Sequence, residues 1–291
     1  MEIVLLSYSD VLTPNLESFR NSARQLGVTL LEIAPHELSL VVSVEKSTVL
    51  FNGQNFTPAV VLHRTVAKFT PLIKPILRVW ESAGTVVLND PEASLVSRSK
   101  LESSLIFQLE KLPFLQSQFF YGNYGIEPDE PGEVIIKPVF GSQGRSIHFF
   151  NNATEAKVHF DNEETEEAKL IAEPFLSQAD LGPYVIDYRA SVVGGKCVAL
   201  MTRIPAVGTR IANIAQGGTG SALSLDHPAA RLAEQALAAF GLDYAGVDIL
   251  GLGDDLYVSE VDAWAGFAGI EKITGTSVST AILQLALAKS K

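Results

Sequence analysis

The sequence predicts an α/β protein, with an open α/β domain at the N-terminus and a larger α+β region behind it. Over about the first 90 residues, short apolar runs alternate with segments of helical periodicity, which is typical of an open α/β sheet. Beyond that point, apolar runs come in neighbouring pairs joined by glycine-containing turns, which is typical of antiparallel hairpins.

The N-terminal elements follow one another in a regular alternation. Apolar runs and helical spacing predict strands at 3–7, 29–33, 49–51, 59–62 and 85–88, with helices at 16–26 and 73–83. Gly27 and Gly84 follow the two helices, where glycine commonly ends a helix. The turn residues Asn89-Asp90-Pro91 end the domain, which we therefore predict to cover residues 1–88.

The rest of the chain is predicted to form two further domains, 89–169 and 170–291. The first begins with a helix at 94–110 and has strands at 134–138 and 146–150, with a loop at 121–133. The second has strands at 170–175, 188–193, 197–203, 245–250 and 256–261, with helices at 228–240 and 278–288. The glycine pair at 194–195 suits a hairpin turn with positive φ.

Composition and charge disfavour several classes of protein. Of the 291 residues, 47% are hydrophobic and 19% are charged, which is the balance of a folded globular chain. The net charge of −11 disfavours non-specific binding to DNA or RNA, which needs a basic surface. No apolar run is long enough to span a membrane, and the opening MEIVLLSYSD is read as a strand rather than a signal peptide. The one cysteine, Cys197, excludes an internal disulfide and is compatible with a reducing cytosol, so we expect a cytoplasmic protein.

A glycine-containing turn, Gly141-Ser142-Gln143-Gly144, lies between two predicted strands. Its backbone N–H groups could cradle phosphate oxygens, although a plain hairpin loop would have the same sequence. It is not a P-loop, which needs a lysine and Ser or Thr after the second glycine at the start of a helix. Lys137 lies just before it in an apolar strand, where a lysine points either to solvent or to an anion. Because the next hairpin layer would bury much of this side chain, its position favours the phosphate interpretation.

Three carboxylates, Asp248, Glu260 and Asp262, lie on two predicted strands joined by a short turn. Glu260 and Asp262 are two residues apart, so both side chains lie on one face of their strand. Carboxylates that converge on one face repel one another unless cations neutralise them, and oxygen ligands without His or Cys favour Mg²⁺ or Mn²⁺. The alternative is a solvated strand face.

Taken in order, these motifs resemble those of the ATP-grasp ligases. The chain is most similar to the branch that includes the RimK-type ribosomal-protein glutamate ligase, the lysine-biosynthesis carrier-protein ligases and the tetrahydromethanopterin glutamate ligases. The resemblance runs from about Asn89 to the C-terminus, and more faintly through the first domain. It implies an ATP-grasp fold preceded by a pre-ATP-grasp α/β domain.

The resemblance also implies roles in nucleotide binding. Two lysines would reach the phosphates, the glycine turn would be a mobile phosphate loop, a hinge would read adenine, and an aspartate would meet the ribose. In that order, the matching residues are Lys100 and Lys137; Gly141, Ser142, Gln143 and Gly144; Glu173, Pro174, Phe175 and Leu176; and Asp180.

The same resemblance implies which residues act on the transferred phosphate. Asp187-Tyr188-Arg189 resembles the family's D-I-R, while Arg203 and Asn213, followed by Gly217-Gly218, resemble a stretch near the γ-phosphate and the acceptor. Asp248, Glu260 and Asp262 match the metal positions, and Arg64 lies where this branch often has an arginine near the acceptor. Arg189 and Arg203 could instead be surface arginines of a strand.

Three positions depart from the family's pattern. Asp262 stands where Asn is common, which adds negative charge and can alter metal affinity or nucleotide preference. The usual Arg-Asp-Lys is Arg98-Ser99-Lys100, and Pro174 is unusual in the hinge.

The resemblance implies a carboxylate–amine ligase that uses ATP and Mg²⁺ or Mn²⁺. The amino acid would be L-glutamate or another, and the acceptor a carboxylate of a cofactor such as a methanopterin-type pterin, or of a peptide. By analogy we expect a homo-oligomer, a dimer or tetramer. The alternatives are an ATP-binding protein without ligase turnover, such as a sensor or partner subunit, and a kinase-like enzyme.

Overall fold

The residues that the structure describes form four sheets, and the predicted α/β class is confirmed. The structure, a computed structural model, describes residues 1–7, 13–65, 70–121, 134–141, 147–161, 169–174, 185–204, 218–252 and 254–291. The strands are β1 Glu2–Ser7, β2 Thr29–Ile33, β3 Leu38–Val41, β4 Thr48–Phe51, β5 Gln54–Asn55, β6 Val60–Arg64, β7 Val86–Leu88, β8 Gln118–Tyr121, β9 Val134–Pro138, β10 His148–Phe150, β11 Lys169–Pro174, β12 Val185–Val193, β13 Lys196–Ile204, β14 Thr219–Ala222, β15 Tyr244–Leu252 and β16 Asp255–Asp262. The helices are α1 Pro14–Leu26, α2 Thr70–Ser82, α3 Pro91–Arg98, α4 Lys100–Leu109, α5 Ala153–Asp161, α6 Pro228–Phe240, α7 Ala268–Thr274 and α8 Val278–Lys289, with a short 3₁₀ turn at Pro35–Glu37.

The N-terminal sheet is parallel, in the order β2-β1-β6-β7, and helices cover both of its faces. Ile3 and Leu5 of β1 pack with α1 and α8 on one face. Val4 and Leu6 pack with α2 on the other face, around the buried Trp80. This two-sided burial explains why β1 is a continuous apolar run, and it makes α8, from the far end of the chain, part of the N-terminal core.

Helix ends in this unit follow from sequence. Thr13 begins α1 by accepting a hydrogen bond from Leu16 N through its side chain, and Pro14 occupies the first turn. Gly27 ends the helix in the left-handed conformation, with φ of 64°, which a residue with a Cβ adopts only at a cost.

The predicted helix at 94–110 is two helices, so that prediction was wrong. Ser99 has an extended backbone, forms a bridge with Phe140, and caps α4 by accepting from Glu102 N at 3.2 Å. Lys100 N then donates to Val139 O at 3.1 Å. The break therefore places the start of α4 beside the end of β9. The signal was present in the sequence, because serine is a preferred N-cap residue.

The central sheet is antiparallel, in the order β10-β9-β11-β8. Helix α5, which the sequence did not predict, packs on it through Ala153, Ala156 and Phe160. Strand β11 belongs to this sheet, so the predicted boundary at 169/170 falls inside a strand. The three-domain division stays a prediction.

The largest sheet is antiparallel, in the order β14-β13-β12-β15-β16. One face packs on α6 through residues such as Ala190 and Val247. The opposite face is divided. Met201 and Tyr244 join the core formed with α8, whereas another part of that face carries charged side chains. The predicted hairpin turn at Gly194 and Gly195 is confirmed, with φ of 58° and 78°.

Asn89, the residue after β7, links the N-terminal sheet to the largest sheet by hydrogen bonds. Its fully buried side chain accepts from Asp243 N at 2.7 Å and from Tyr244 N at 3.0 Å, and it donates to Tyr244 O at 2.9 Å. These three bonds fix where β15 begins.

In the part of the chain that the structure describes, no helix is long and apolar enough to cross a bilayer.

Candidate active site

A row of charged side chains crosses the largest sheet. In the strand register, Asp187 pairs with Arg203, Arg189 with Asp248, and Asp248 with Glu260. Residues that pair directly across strands share one face of a sheet, so these five side chains lie together. We call them the charged row. Their chain neighbours Tyr188, Ala190, Val247 and Val261 are buried on the opposite face, against α6.

An irregularity in β16 keeps this face charged and the other apolar. The register shifts between Asp248 and Ile249, so that Glu260 pairs with Asp248 and Val258 pairs with Ile249. Ser259 is the additional residue. A bulge of this kind changes which side chains face the core, so Val258 and Val261 are both buried although three positions separate them.

Arg189 and Asp248 form a two-point ion pair at the centre of the row. The distance from Arg189 Nε to Asp248 Oδ1 is 2.5 Å, and Nη2 donates to Oδ2 at 3.0 Å. The two side chains are only 17% and 15% exposed, so water screens the attraction less than it would at the surface.

Arg203 bridges two carboxylates. Its Nε donates to Asp187 Oδ1 at 2.7 Å, and its Nη2 lies 2.6 Å from Asp187 Oδ1 and 3.2 Å from Asp248 Oδ2. Burial alone would lower the pKa of Arg203, but Asp248 and Asp187 outweigh burial and raise that pKa above its ordinary value. Burial, reinforced by Asp248, raises the pKa of Asp187 to about 7 although Arg203 opposes the change.

Glu260 lies at the acidic end of the row, where burial and neighbouring carboxylates raise the pKa of its carboxyl group. Burial raises the pKa of Glu260, Asp262 and Asp248 raise it further, and Lys100 and Arg189 oppose them. The three carboxylates are therefore close enough to repel one another, and their hard oxygen atoms suit a divalent cation that would relieve this repulsion. Among the described residues, however, no three acidic, His or Cys side chains lie close enough to hold a metal ion as they stand. The predicted metal set of Asp248, Glu260 and Asp262 stays a prediction.

Asp262 is held by its own chain and faces a basic residue. Its Oδ1 accepts from Trp264 N at 2.9 Å, and Arg98 Nη1 lies 3.9 Å away. Of the two basic residues of the 98–100 motif, Arg98 thus lies beside Asp262, and Lys100 is near enough to Glu260 for its charge to oppose the rise in the pKa of that carboxyl. The sequence interpretation gave Arg98 no role. Its presence at the end of α3, one residue before a helix break, was the available signal.

The two predicted phosphate lysines lie on neighbouring segments. Lys137 is a partly buried residue of β9, in register with Ile171 of β11, and Lys100 opens α4 beside the end of the same strand. Gly141 follows, and a Cβ there would lie 2.9 Å from Pro138 Cγ, so this position favours a residue without a side chain. The structure therefore brings both lysines close to the strand that precedes Gly141.

Most of the predicted hinge and loop lies outside the described residues. For Glu173 and Pro174 the structure gives the backbone register, opposite Ile135 and Val134. The predicted site residues that are not described are Ser142, Gln143, Gly144, Phe175, Leu176, Asp180 and Asn213.

Arg64 points from the end of β6 toward the segment after Asp262. Its Nη2 donates to Trp264 O at 3.2 Å and to Ala265 O at 3.0 Å. The buried His63 beside it contacts Thr65 Oγ1 at 2.6 Å and stacks edge-on against the Trp264 ring. Arg64 thus contacts the backbone beside the acidic end of the row.

The charged row can accommodate a ligand with both anionic oxygens and divalent cations. Its arginines are donors for phosphate or carboxylate oxygens, and its carboxylates can accept a hard cation. A nucleoside triphosphate with bound magnesium combines these two features.

Comparison with known proteins identifies one family and relatives that share one name. Residues 127–286 match the RimK-like ATP-grasp domain. The chain is 27% identical over 297 residues to a protein named probable alpha-L-glutamate ligase from Marinomonas sp. strain MWYL1, covering 98% of this chain and 94% of that protein. It is 32% identical over 213 residues to a protein of the same name from Parasynechococcus marenigrum strain WH8102, covering 72% of this chain and 45% of that protein.

Solved structures share the fold. The ATP-grasp ligase PsnB complexed with minimal precursor superposes with a TM-score of 0.76 at 20% identity, covering 99% of this chain and 98% of that chain. The same ligase with minimal precursor, Mg and ADP gives a TM-score of 0.73 at 21% identity, covering 99% and 97%. The predicted ATP-grasp fold is thereby confirmed.

Proposed function

Since this chain belongs to the RimK-like ATP-grasp family, we propose that it is an ATP-dependent carboxylate–amine ligase that attaches L-glutamate to an acceptor carboxylate. Relatives along nearly the whole chain are named probable alpha-L-glutamate ligase, which supports glutamate as the amino acid. The observation that carries the proposal is the charged row, in which two arginines and three carboxylates share one partly buried sheet face.

The reaction has two steps. An oxygen of the acceptor carboxylate attacks the γ-phosphorus of ATP, the bond to the β,γ-bridging oxygen breaks, and ADP leaves. The amine nitrogen of glutamate then attacks the acyl carbon of the resulting acylphosphate, phosphate leaves, and the amine loses a proton. The products are an amide, ADP and phosphate.

The described residues would act by positioning and by neutralising charge. Arg203, anchored by Asp187 and Asp248, and Arg189 would face the phosphoryl oxygens, because a guanidinium fixed by carboxylates needs no reorganisation as charge develops. Lys100, at the start of α4, and Lys137, in β9 of the central sheet, would meet the phosphates of the nucleotide. Asp248, Glu260 and Asp262 would hold Mg²⁺, which when bound screens the charge on the phosphates.

The acceptor is proposed to be either a peptide tail or a small cofactor such as a pterin. The structure of PsnB complexed with precursor peptide PsnA2 and AMPPNP supports testing peptides first. The net charge of −11 argues against a strongly acidic macromolecule as acceptor. We propose that the protein works as a homo-oligomer, which light scattering of the purified chain would test.

The test is acceptor-dependent release of ADP in the presence of Mg²⁺. Glutamate and other amino acids are each combined with pools of peptides, carrier-protein tails and pterins, and product masses are read in parallel. A glutamyl mass increment with one ADP per bond supports the proposal and identifies the acceptor. Repeating the assay with Mn²⁺ determines whether it replaces Mg²⁺.

Two variants sharpen this test. Arg203→Met removes the bridging arginine of the charged row, whereas Arg20→Met removes an arginine that pairs with Glu32 in the N-terminal unit. Turnover should be lost in the first and retained in the second. Binding of ATP by the wild-type protein without turnover on any pair of substrates would instead favour the ATP-binding protein.

A further inference from the structure

Two side chains of the N-terminal unit hold the segment 262–268, which begins at Asp262. Arg64 Nη2 donates to the carbonyl oxygens of Trp264 and Ala265, at 3.2 and 3.0 Å. Asn15 Oδ1 accepts from Phe267 N at 3.0 Å and from Ala268 N at 2.9 Å. Two carbonyls and two amides of one short segment are therefore bonded to side chains that lie far away in sequence.

The Arg64 guanidinium is itself held by aromatic rings. Its central carbon lies 5.4 Å from the centroid of the Phe267 ring and 5.9 Å from those of Phe19 and Tyr244. A cation is attracted to the faces of such rings, most strongly where water is excluded. This enclosure gives the arginine one orientation, with Nη2 directed at the segment.

Asn15 supplies a cap that α7 lacks. The residue at the N-cap position of α7 is Phe267, whose side chain makes no capping hydrogen bond. The first backbone N–H groups of a helix have no partner within the helix, and Asn15 accepts from two of them. The start of α7 is thus fixed by α1.

The held segment continues directly into the Asp262 carboxylate. Trp264 N donates to Asp262 Oδ1 at 2.9 Å, and Ala265 N donates to Asp262 O at 3.2 Å. The segment also packs closely against β15 at Gly246, where an added Cβ would lie 2.4 Å from Ala265 Cβ. The orientation of the carboxylate therefore depends on where the backbone at 264 and 265 is held.

We propose that Arg64 and Asn15 are positioning residues, which hold the segment 262–268 and thereby orient Asp262 toward the divalent cation of the bound nucleotide. The inference rests on the proposed function in one respect, the assignment of Asp262 to the metal. It gives Arg64 a role through Asp262 instead of a direct contact with the acceptor.

The experiment measures ADP binding calorimetrically, with and without Mg²⁺, and uses no acceptor. Mg²⁺ should strengthen ADP binding in the wild-type protein. In Arg64→Met this strengthening should fall roughly 10-fold, as is usual when a partner that orients a metal ligand is removed, while affinity without Mg²⁺ stays unchanged. Arg20→Met is the matched control and should keep the full effect of Mg²⁺.

A second pair of variants guards against a folding defect in Arg64→Met. Asn15→Asp keeps an acceptor oxygen for the amides of α7 and should retain the Mg²⁺ effect, whereas Asn15→Leu should lose it. If wild-type ADP binding does not respond to Mg²⁺, both the inference and the metal part of the proposed function fail. If the wild-type protein responds and Arg64→Met or Asn15→Leu responds equally, the inference alone is overturned.

Discussion

Two glycines of β15 allow the charged row to be perturbed with a matched control in the same strand. A Cβ added at Gly246 would lie 2.4 Å from Ala265 Cβ and 2.5 Å from Arg189 Nη1. A Cβ added at Gly251 would lie 2.8 Å from Tyr188 Cε2, whose ring is in the core with α6. Neither glycine has a positive φ, so the steric contact is the main effect of either substitution.

The expected displacement follows from these distances. Carbon atoms in contact are normally about 3.5–4.0 Å apart, so the Gly246→Ala methyl and Ala265, 2.4 Å apart as the chain stands, must separate by roughly 1.1–1.6 Å. The Arg189 side chain must also withdraw, and it can do so only by loosening its two-point pair with Asp248. Both variants should lose about 1–3 kcal/mol of unfolding free energy, the usual cost of overpacking. Only Gly246→Ala should also impair the chemistry.

The assay is urea unfolding of both variants, followed by ADP release measured at a temperature where both are folded. Gly246→Ala should lose at least about 10-fold in turnover, because displacing a residue that positions the reacting groups by about 1 Å can cost up to 100-fold. Gly251→Ala should retain turnover per folded molecule. Equal activity in the two variants would refute the reasoning, because it would mean that the Arg189–Asp248 pair has no part in the reaction.

Three further predictions concern stability. Arg203→Met leaves Asp187 and Asp248 buried without their bridging cation and should cost about 3–5 kcal/mol in urea unfolding; a parental urea midpoint would contradict it. Asn89→Ala removes three hydrogen bonds to the start of β15 and should cost about 3 kcal/mol or more, since each unpaired buried group costs about 1–3 kcal/mol. A loss below about 1 kcal/mol would show that water replaces the amide. Burial lowers the pKa of His63 from 6.5 to about 4, so the unfolded chain binds the proton first and stability is lost as pH falls from 6.5 toward 4. His63→Gln should flatten the pH dependence of the unfolding free energy between pH 6.5 and about 4. An unchanged dependence would show that His63 is not the group responsible.

Much of the fold could be predicted because local patterns determined it. Helix α6 lies where the apolar spacing and Pro228 predict it, and the hairpin of β12 and β13 follows from the glycine pair. The pairing of Asp248 with Glu260 could be anticipated, since a short turn joins their strands. These features depend on neighbours in sequence, where periodicity carries information.

The rest depends on contacts that no local pattern contains. The bridge from Arg203 to Asp187 and Asp248 requires β12 to lie between β13 and β15, which is a property of the sheet order. Arg64 reaches a carbonyl 200 residues further along the chain. Helix α5 was missed because its apolar residues are few and their burial comes from the central sheet.

The position of α8 has a consequence for how the chain acquires its structure. Its Ile282 and Leu283 complete the core around Ile3 and Leu5, so one face of the N-terminal sheet lacks part of its cover until the helix that begins at Val278 has been made. Contacts between such distant segments close slowly, and an apolar sheet face that waits for them is prone to aggregate. We therefore expect the N-terminal unit to reach its native state only after translation of α8, and nascent chains that stop before Val278 to depend on chaperones.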